Sequence, residues 1–305
     1  RFGDITSKPG APFLSASLGV SRLCATCEGV FASVSFKDGD AVNAFAAMML
    51  EVEKMKRFGF TDGEVERAKA KIMSHYERAV EAAPTRKNAD FVRPLLNAFY
   101  HNESYMDPET ELQVAQMICS QLNAAVLSQI AASMITDENM VVLYNGPEKE
   151  GLVNPTEEEL AAVITAVKNA EIEANVEEAV NEPLISKNLK GSKVKKTAEG
   201  IYGSTEWTLK NGLKVVVLPT EYKKDQVIMN LKFDGGKTLV SDEEIVSLED
   251  NIWSVYLNNT GISKFPSTVL SKMLAGKNVS MSPYIGGVQH GISGQSTPKD
   301  LETAF

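Results

Sequence analysis

The sequence predicts an α+β fold: two domains of similar type, each an antiparallel sheet with helices packed on one side, the second cut short. Three observations carry this. The 305 residues are 43% hydrophobic and 23% charged, enough apolar material for about two buried cores. Alternating apolar segments stand at the head of each half, near residues 11–38 and 204–234, and capped amphipathic helices follow both times. A composition shift separates the halves: glutamates crowd 171–182, lysines crowd 187–196, and neither block keeps an apolar period. The predicted organisation is a domain over 1–180, an exposed linker over 181–203 and a second domain over 204–305. The two halves repeat the order of strands then helices without aligning residue by residue.

Residues 11–21 and 28–38 are predicted strands; Val30, Ala32, Val34 and Phe36 alternate with Phe31, Ser33 and Ser35, and Lys37-Asp38-Gly39-Asp40 has turn chemistry. Val42, Phe45, Met49, Val52 and Met55 recur at helical spacing up to Gly59, a C′ glycine. Thr61 and Glu64 form a capping box that opens a helix with Val65, Ala68, Ile72 and Tyr76 on one face. A third helix is predicted over 86–101. Asp107-Pro108 starts helical text that runs to about 134. The apolar run 139–145 reads as a buried strand, and Thr156 and Glu159 cap a helix with Leu160, Val163, Ile164 and Val167 inward.

In the second half, Asn211-Gly212 between apolar segments predicts a hairpin. A strand is predicted over 225–234, a helix over 242–257 with Leu248, Ile252 and Val255, and a short helix near 265–275. A strand pair follows over 279–293, then a helix entry at Thr297-Pro298-Lys299-Asp300. Arg1 instead of Met, and Phe305 falling within a helix, give the expectation of a piece of a longer chain.

Composition excludes several functions. The net charge of −9 disfavours sequence-independent nucleic-acid binding. No apolar run reaches the roughly 18–20 residues of a membrane-spanning helix. Three cysteines do not make a disulfide framework. The lysine cluster is read as a solvated hinge, since no aromatics interleave and acidic residues flank it.

A zinc site needs three or four ligands on one ion. The three histidines, His75, His101 and His290, are scattered, and neither H-x-x-E-H nor H-E-x-x-H occurs. Each is read as a surface or core-edge residue. Cys24 and Cys27 form C-x-x-C between two strands, without the second pair of a zinc site, and Cys119 stands alone; ordinary thiols are expected. Gly235-Gly236-Lys237-Thr238 lacks phosphate-loop spacing. Gly286, Gly287 and Gly291 are read as turn and bulge residues, and Ser293-Gly294 has no partner base. Glu243, Glu244, Glu249 and Asp250 are read as the solvated face of a helix. The expected site content is therefore no catalytic, cofactor-binding or metal-binding residue in this chain.

Several stretches resemble the insulinase/pitrilysin-type zinc metallopeptidases, the inverted-motif zincins. They are residues 209–219, 227–236, 274–284 and 295–301, the helix–turn–helix text 58–69, and Tyr144-Asn145-Gly146-Pro147. The resemblance implies an insulinase-like metallohydrolase fold of four related domains in two halves that close on a peptide. Zinc and its H-x-x-E-H helix would lie in the first of these. The helix expected here at 242–257 has Glu249 and Asp250 but no histidine, which matches a non-catalytic unit.

The implied function is the central non-catalytic part of a zinc-dependent peptidase, chamber wall and hinge, inactive alone, with peptide as partner and zinc in the full-length protein. The alternatives are a catalytically silent structural or partner subunit of the same family, or an unrelated two-domain binding protein. Exported or periplasmic placement is the expectation for a bacterial member.

Overall fold

The computed structural model describes residues 1–24, 26–177, 182–185, 189–245 and 260–305. Its first half is organised by two helices, α2 (Ala41–Phe58) and α7 (Glu157–Asn169), which bring Phe45, Met48, Val163 and Val167 into one buried cluster. The short α1 (Phe2–Thr6) and the hairpin of β1 (Ser15–Cys24) and β2 (Cys27–Ser35) close that cluster with Phe2, Ala16 and Val34. The hairpin is antiparallel, with Ser15 facing Ser35 and Cys24 facing Cys27. The helical period of α2 holds, but its deepest methionine is Met48, not Met49.

Capping sets the helix starts where expected. Thr61 Oγ1 accepts from the Glu64 amide, and Glu64 Oε2 accepts from the Thr61 amide, opening α3 (Asp62–Ala82). Thr156 and Glu159 repeat this at α7. At the other end of α7, Arg57 of α2 donates to the Ala170 and Lys168 carbonyls at 2.9 and 2.7 Å, satisfying acceptors that the helix end leaves open. Gly59 follows α2 at φ 68° and ψ −142°, and a Cβ there would collide with the Ser128 side chain.

The third helix is shorter than predicted. Pro84 falls in a 3₁₀ turn (Ala83–Thr85), and α4 starts only at Ala89, running to His101. Pro94 inside α4 cannot donate to the Asp90 carbonyl; Arg86 Nη2 reaches that oxygen at 3.5 Å. The helical text up to 134 is two helices, α5 (Pro108–Gln121) and α6 (Ala124–Met134). Leu122 turns to extended backbone and Asn123 Oδ1 caps the Val126 amide, a competing local bond that periodicity does not reveal.

The run 139–145 is not a buried strand. It pairs with no strand among the described residues, and Val141 and Leu143 are 88% and 90% exposed. Tyr144 anchors it by stacking on Phe36, centroids 6.1 Å apart, and by donating from its hydroxyl to Asn154 Oδ1 at 2.8 Å. An apolar run becomes a strand only where another strand supplies its hydrogen bonds.

In the second half, β3 (Val194–Glu199), β4 (Thr205–Leu209) and β5 (Lys214–Val217) form an antiparallel sheet in that order. β3 lies inside the stretch expected to be linker. As an edge strand exposed along nearly its whole length it shows no apolar period, and its lysines suit a sheet edge. The β4–β5 hairpin turns at Asn211-Gly212, with Gly212 at φ 90°. A second antiparallel sheet contains β6 (Val227–Asp234), β7 (Val279–Ile285) and β8 (Gln289–Ser296), with β8 in the centre. Short helices α8 (Asp242–Ile245), α9 (Ser267–Met273) and α10 (Leu301–Ala304) accompany them. The Thr297–Asp300 cap is a turn, and helix starts one turn later than its proline suggests, at Leu301. The rest of the helix predicted over 242–257, with Leu248, Glu249, Asp250, Ile252 and Val255, lies outside the described residues.

The halves meet along α3. Asn278 bonds Ser74, Lys299 pairs with Glu77 at 2.6 Å and Lys272 with Asp4 at 2.9 Å. This explains why Ser74 is buried while Ile72, expected inward, is exposed.

Candidate functional site

An open, apolar-lined cleft of about 520 Å³ lies between the β1–β2 hairpin and helices α2, α3 and α6. Leu18 and Val20 of β1, Val30 of β2, Met55 of α2, Val65 of α3 and Ile130 of α6 line it. The pleat puts Leu18, Val20 and Val30 on one face of the hairpin, because the register pairs Val20 with Val30 and Leu18 with Ala32. α6 is held over the cleft by the Phe60 amide, which donates to Ser128 Oγ at 2.9 Å.

Arg1 and Glu64 also line this cleft. Arg1 Nε and Nη2 each donate to a different Glu64 oxygen at 2.7 Å, and Nη2 also donates to the Gly59 carbonyl at 2.7 Å. Partial burial alone would raise the Glu64 carboxyl. The Arg1 guanidinium and the Thr61 amide outweigh it and hold the group at about 2. A carboxylate so held, with both oxygens engaged, is a poor proton acceptor near neutral pH. The cleft is therefore lined mainly to receive apolar groups. The capping box at Thr61 and Glu64 was legible in sequence, but only as a helix start. Its second role, as the anchor of Arg1, depends on a contact across 63 residues.

The three histidines fall in different elements. His75 is exposed on α3, edge-on to Tyr76 at 5.3 Å. His101 ends α4 beside a recess shared with Arg22, Cys24, Glu28 and Glu103. His290 sits on β8, stacked on Phe233 at 5.6 Å, and its Nδ1 accepts from the Gly236 amide at 3.3 Å. Among the described residues, no three His, Cys, Asp or Glu side chains gather where a metal ion could be held. Gly235 and Gly236 form a turn at φ 117° and 58°, and a Cβ on Gly236 would strike the backbone of Gly286 and Gln289. Cys24 and Cys27 are exposed thiols at the hairpin end, and Cys119 is buried. No described helix is long and apolar enough to cross a membrane.

No protein-family model matches the sequence. Among curated proteins it is similar to "Zinc protease PQQL-like" of Arabidopsis thaliana, 23% identical over 229 residues, which is 73% of this chain and 23% of that protein. Among solved structures, the ferredoxin protease FusC, captured as an E83A mutant with Arabidopsis ferredoxin, superposes with a TM-score of 0.51. It is 17% identical, over 95% of this chain and 32% of that one. Pitrilysin superposes with a TM-score of 0.49 and 13% identity, over 96% of this chain and 30% of that one. The fold is the mixed helix and antiparallel sheet of insulinase-like metallohydrolases. The sequence is thus similar to a zinc protease, and the chain spans about a quarter of the length of that curated relative.

Proposed function

We propose that this chain is the central, non-catalytic part of a zinc-dependent peptidase that encloses polypeptides between two halves. Residues 1–180 serve as chamber wall, 181–203 as the joint between halves, and 204–305 as the opening of a further silent unit. The observation that carries this reading is the sequence kinship with a zinc protease along 229 residues. The lack of any H-x-x-E-H or H-E-x-x-H in this sequence supports a bond-breaking step located elsewhere in the protein. The apolar cleft supplies a wall against which apolar side chains of an extended substrate lie, and enclosure excludes bulk water. FusC's capture with ferredoxin supports polypeptide as the substrate class. In a bacterium this reading carries an exported, periplasmic protein.

The test compares this 305-residue chain with the full product of its gene on an unstructured fluorogenic peptide, with and without a chelator. The expected outcome is chelator-sensitive cleavage by the full product and none by the chain alone. Chelator-sensitive cleavage by the chain alone overturns the proposal. A full product that binds no zinc and cleaves nothing assigns the protein to the silent-subunit alternative.

A further inference from the structure

The thiols of the C-x-x-C pair are placed by the fold in a way that proteolysis does not use. Cys24 and Cys27 are the terminal register pair of the β1–β2 hairpin, directly across from one another. Facing residues of an antiparallel pair have Cα atoms about 4.5–5.5 Å apart, inside the roughly 4.4–6.8 Å window that a disulfide requires. Both side chains are exposed, so a reagent in solution reaches them, whereas Cys119 is buried. Beyond a register shift at Leu23, Arg22 and Glu28 pair across the strands as an ion pair at 3.4 Å.

We propose that Cys24 and Cys27 are a dithiol–disulfide couple, a redox modification site that takes low-molecular-weight or protein disulfides as its oxidant. The thiolate of Cys24 attacks one sulfur of the disulfide RSSR, that S–S bond breaks, and RS⁻ leaves. Cys27 then attacks the Cys24 sulfur of the mixed disulfide and expels the second RS⁻. Two electrons pass from the cysteines to the oxidant, and their two protons end on two RSH. Cys24 is the attacking group: hydrogen bonds from the Thr26 backbone and then its hydroxyl hold the Cys24 thiol below its ordinary value. The bridge closes the end of the hairpin whose Val20 and Val30 line the apolar cleft, so it ties the cleft wall to the redox state of the surroundings.

The experiment equilibrates the chain in reduced-to-oxidised glutathione mixtures, quenches in acid, blocks free thiols with N-ethylmaleimide and maps tryptic peptides by mass. Cleavage after Arg22 and Lys37 puts both cysteines on one peptide, residues 23–37. The expected result is loss of both maleimide sites together, with a mass two hydrogens below the dithiol, while Cys119 stays reduced. The bridged fraction at a fixed glutathione ratio should be about tenfold higher in the folded chain than in urea, since the register pre-organises the pair. In Cys24→Ser, Cys27 should instead carry glutathione. Two maleimides on the peptide at every ratio, separate glutathione adducts on both cysteines, or equal bridging in urea would each overturn the proposal.

Discussion

Glu64 shows how one side chain serves a helix end and a cleft at once. Its Oε2 caps the Thr61 amide, and both oxygens take the Arg1 guanidinium. Its folded value, about 2, lies below the ordinary carboxylate range. The contribution to stability is therefore present above about pH 4.5 and is lost as pH falls toward 2. After allowance for solvent screening it is worth about 2 kcal/mol. Glu64→Gln should remove that acid-side loss and lower stability at pH 7 by a similar amount. Urea titrations between pH 2 and 7 measure both. Parallel acid profiles for the two proteins would show that the ion pair carries no weight.

At the scale of the element, burial separates two apolar stretches that look alike in sequence. Met48 on α2 is 3% exposed within the α2–α7 cluster, and Val141 in the run 139–145 is 88% exposed. Met48→Ala should cost about 2–4 kcal/mol through lost transfer energy and a cavity, while Val141→Ser should stay within about 0.5 kcal/mol. Equilibrium denaturation of both variants tests the contrast. A cost above 1 kcal/mol at Val141 would mean the run packs against a partner in solution. The break between α5 and α6 makes the same point about local bonds: the Asn123 side chain satisfies an amide that a continuous helix would have paired with a backbone carbonyl.

Across the whole molecule, polar contacts join the halves. The Glu77–Lys299 and Asp4–Lys272 pairs are partly or largely solvent-exposed, and Asn278 bonds Ser74 of α3. Exposed pairs are worth roughly 0.2–1 kcal/mol each and weaken with salt. Charge reversal at Glu77→Lys should loosen the junction, and adding Lys299→Glu should restore it. The readout is limited proteolysis in the segment 182–193 at low and at 1 M salt. Restoration by the double variant at low salt only is the expected pattern. Equal proteolysis in all variants would show that these charges do not hold the halves.

The sequence by itself determined the helix starts at Thr61, Asp107 and Thr156 and the turns at Gly59 and Asn211-Gly212. Each depends on bonds between residues a few positions apart, so the residue types suffice. It also carried the family resemblance and the absence of a zincin motif. Tertiary structure alone decided that Glu64 meets Arg1, that the polar strand Val194–Glu199 joins β4, that 139–145 stays exposed, and that Cys24 faces Cys27 across one register. Those outcomes rest on partners far along the chain or on a register set by the whole hairpin. No local pattern encodes which distant group will arrive.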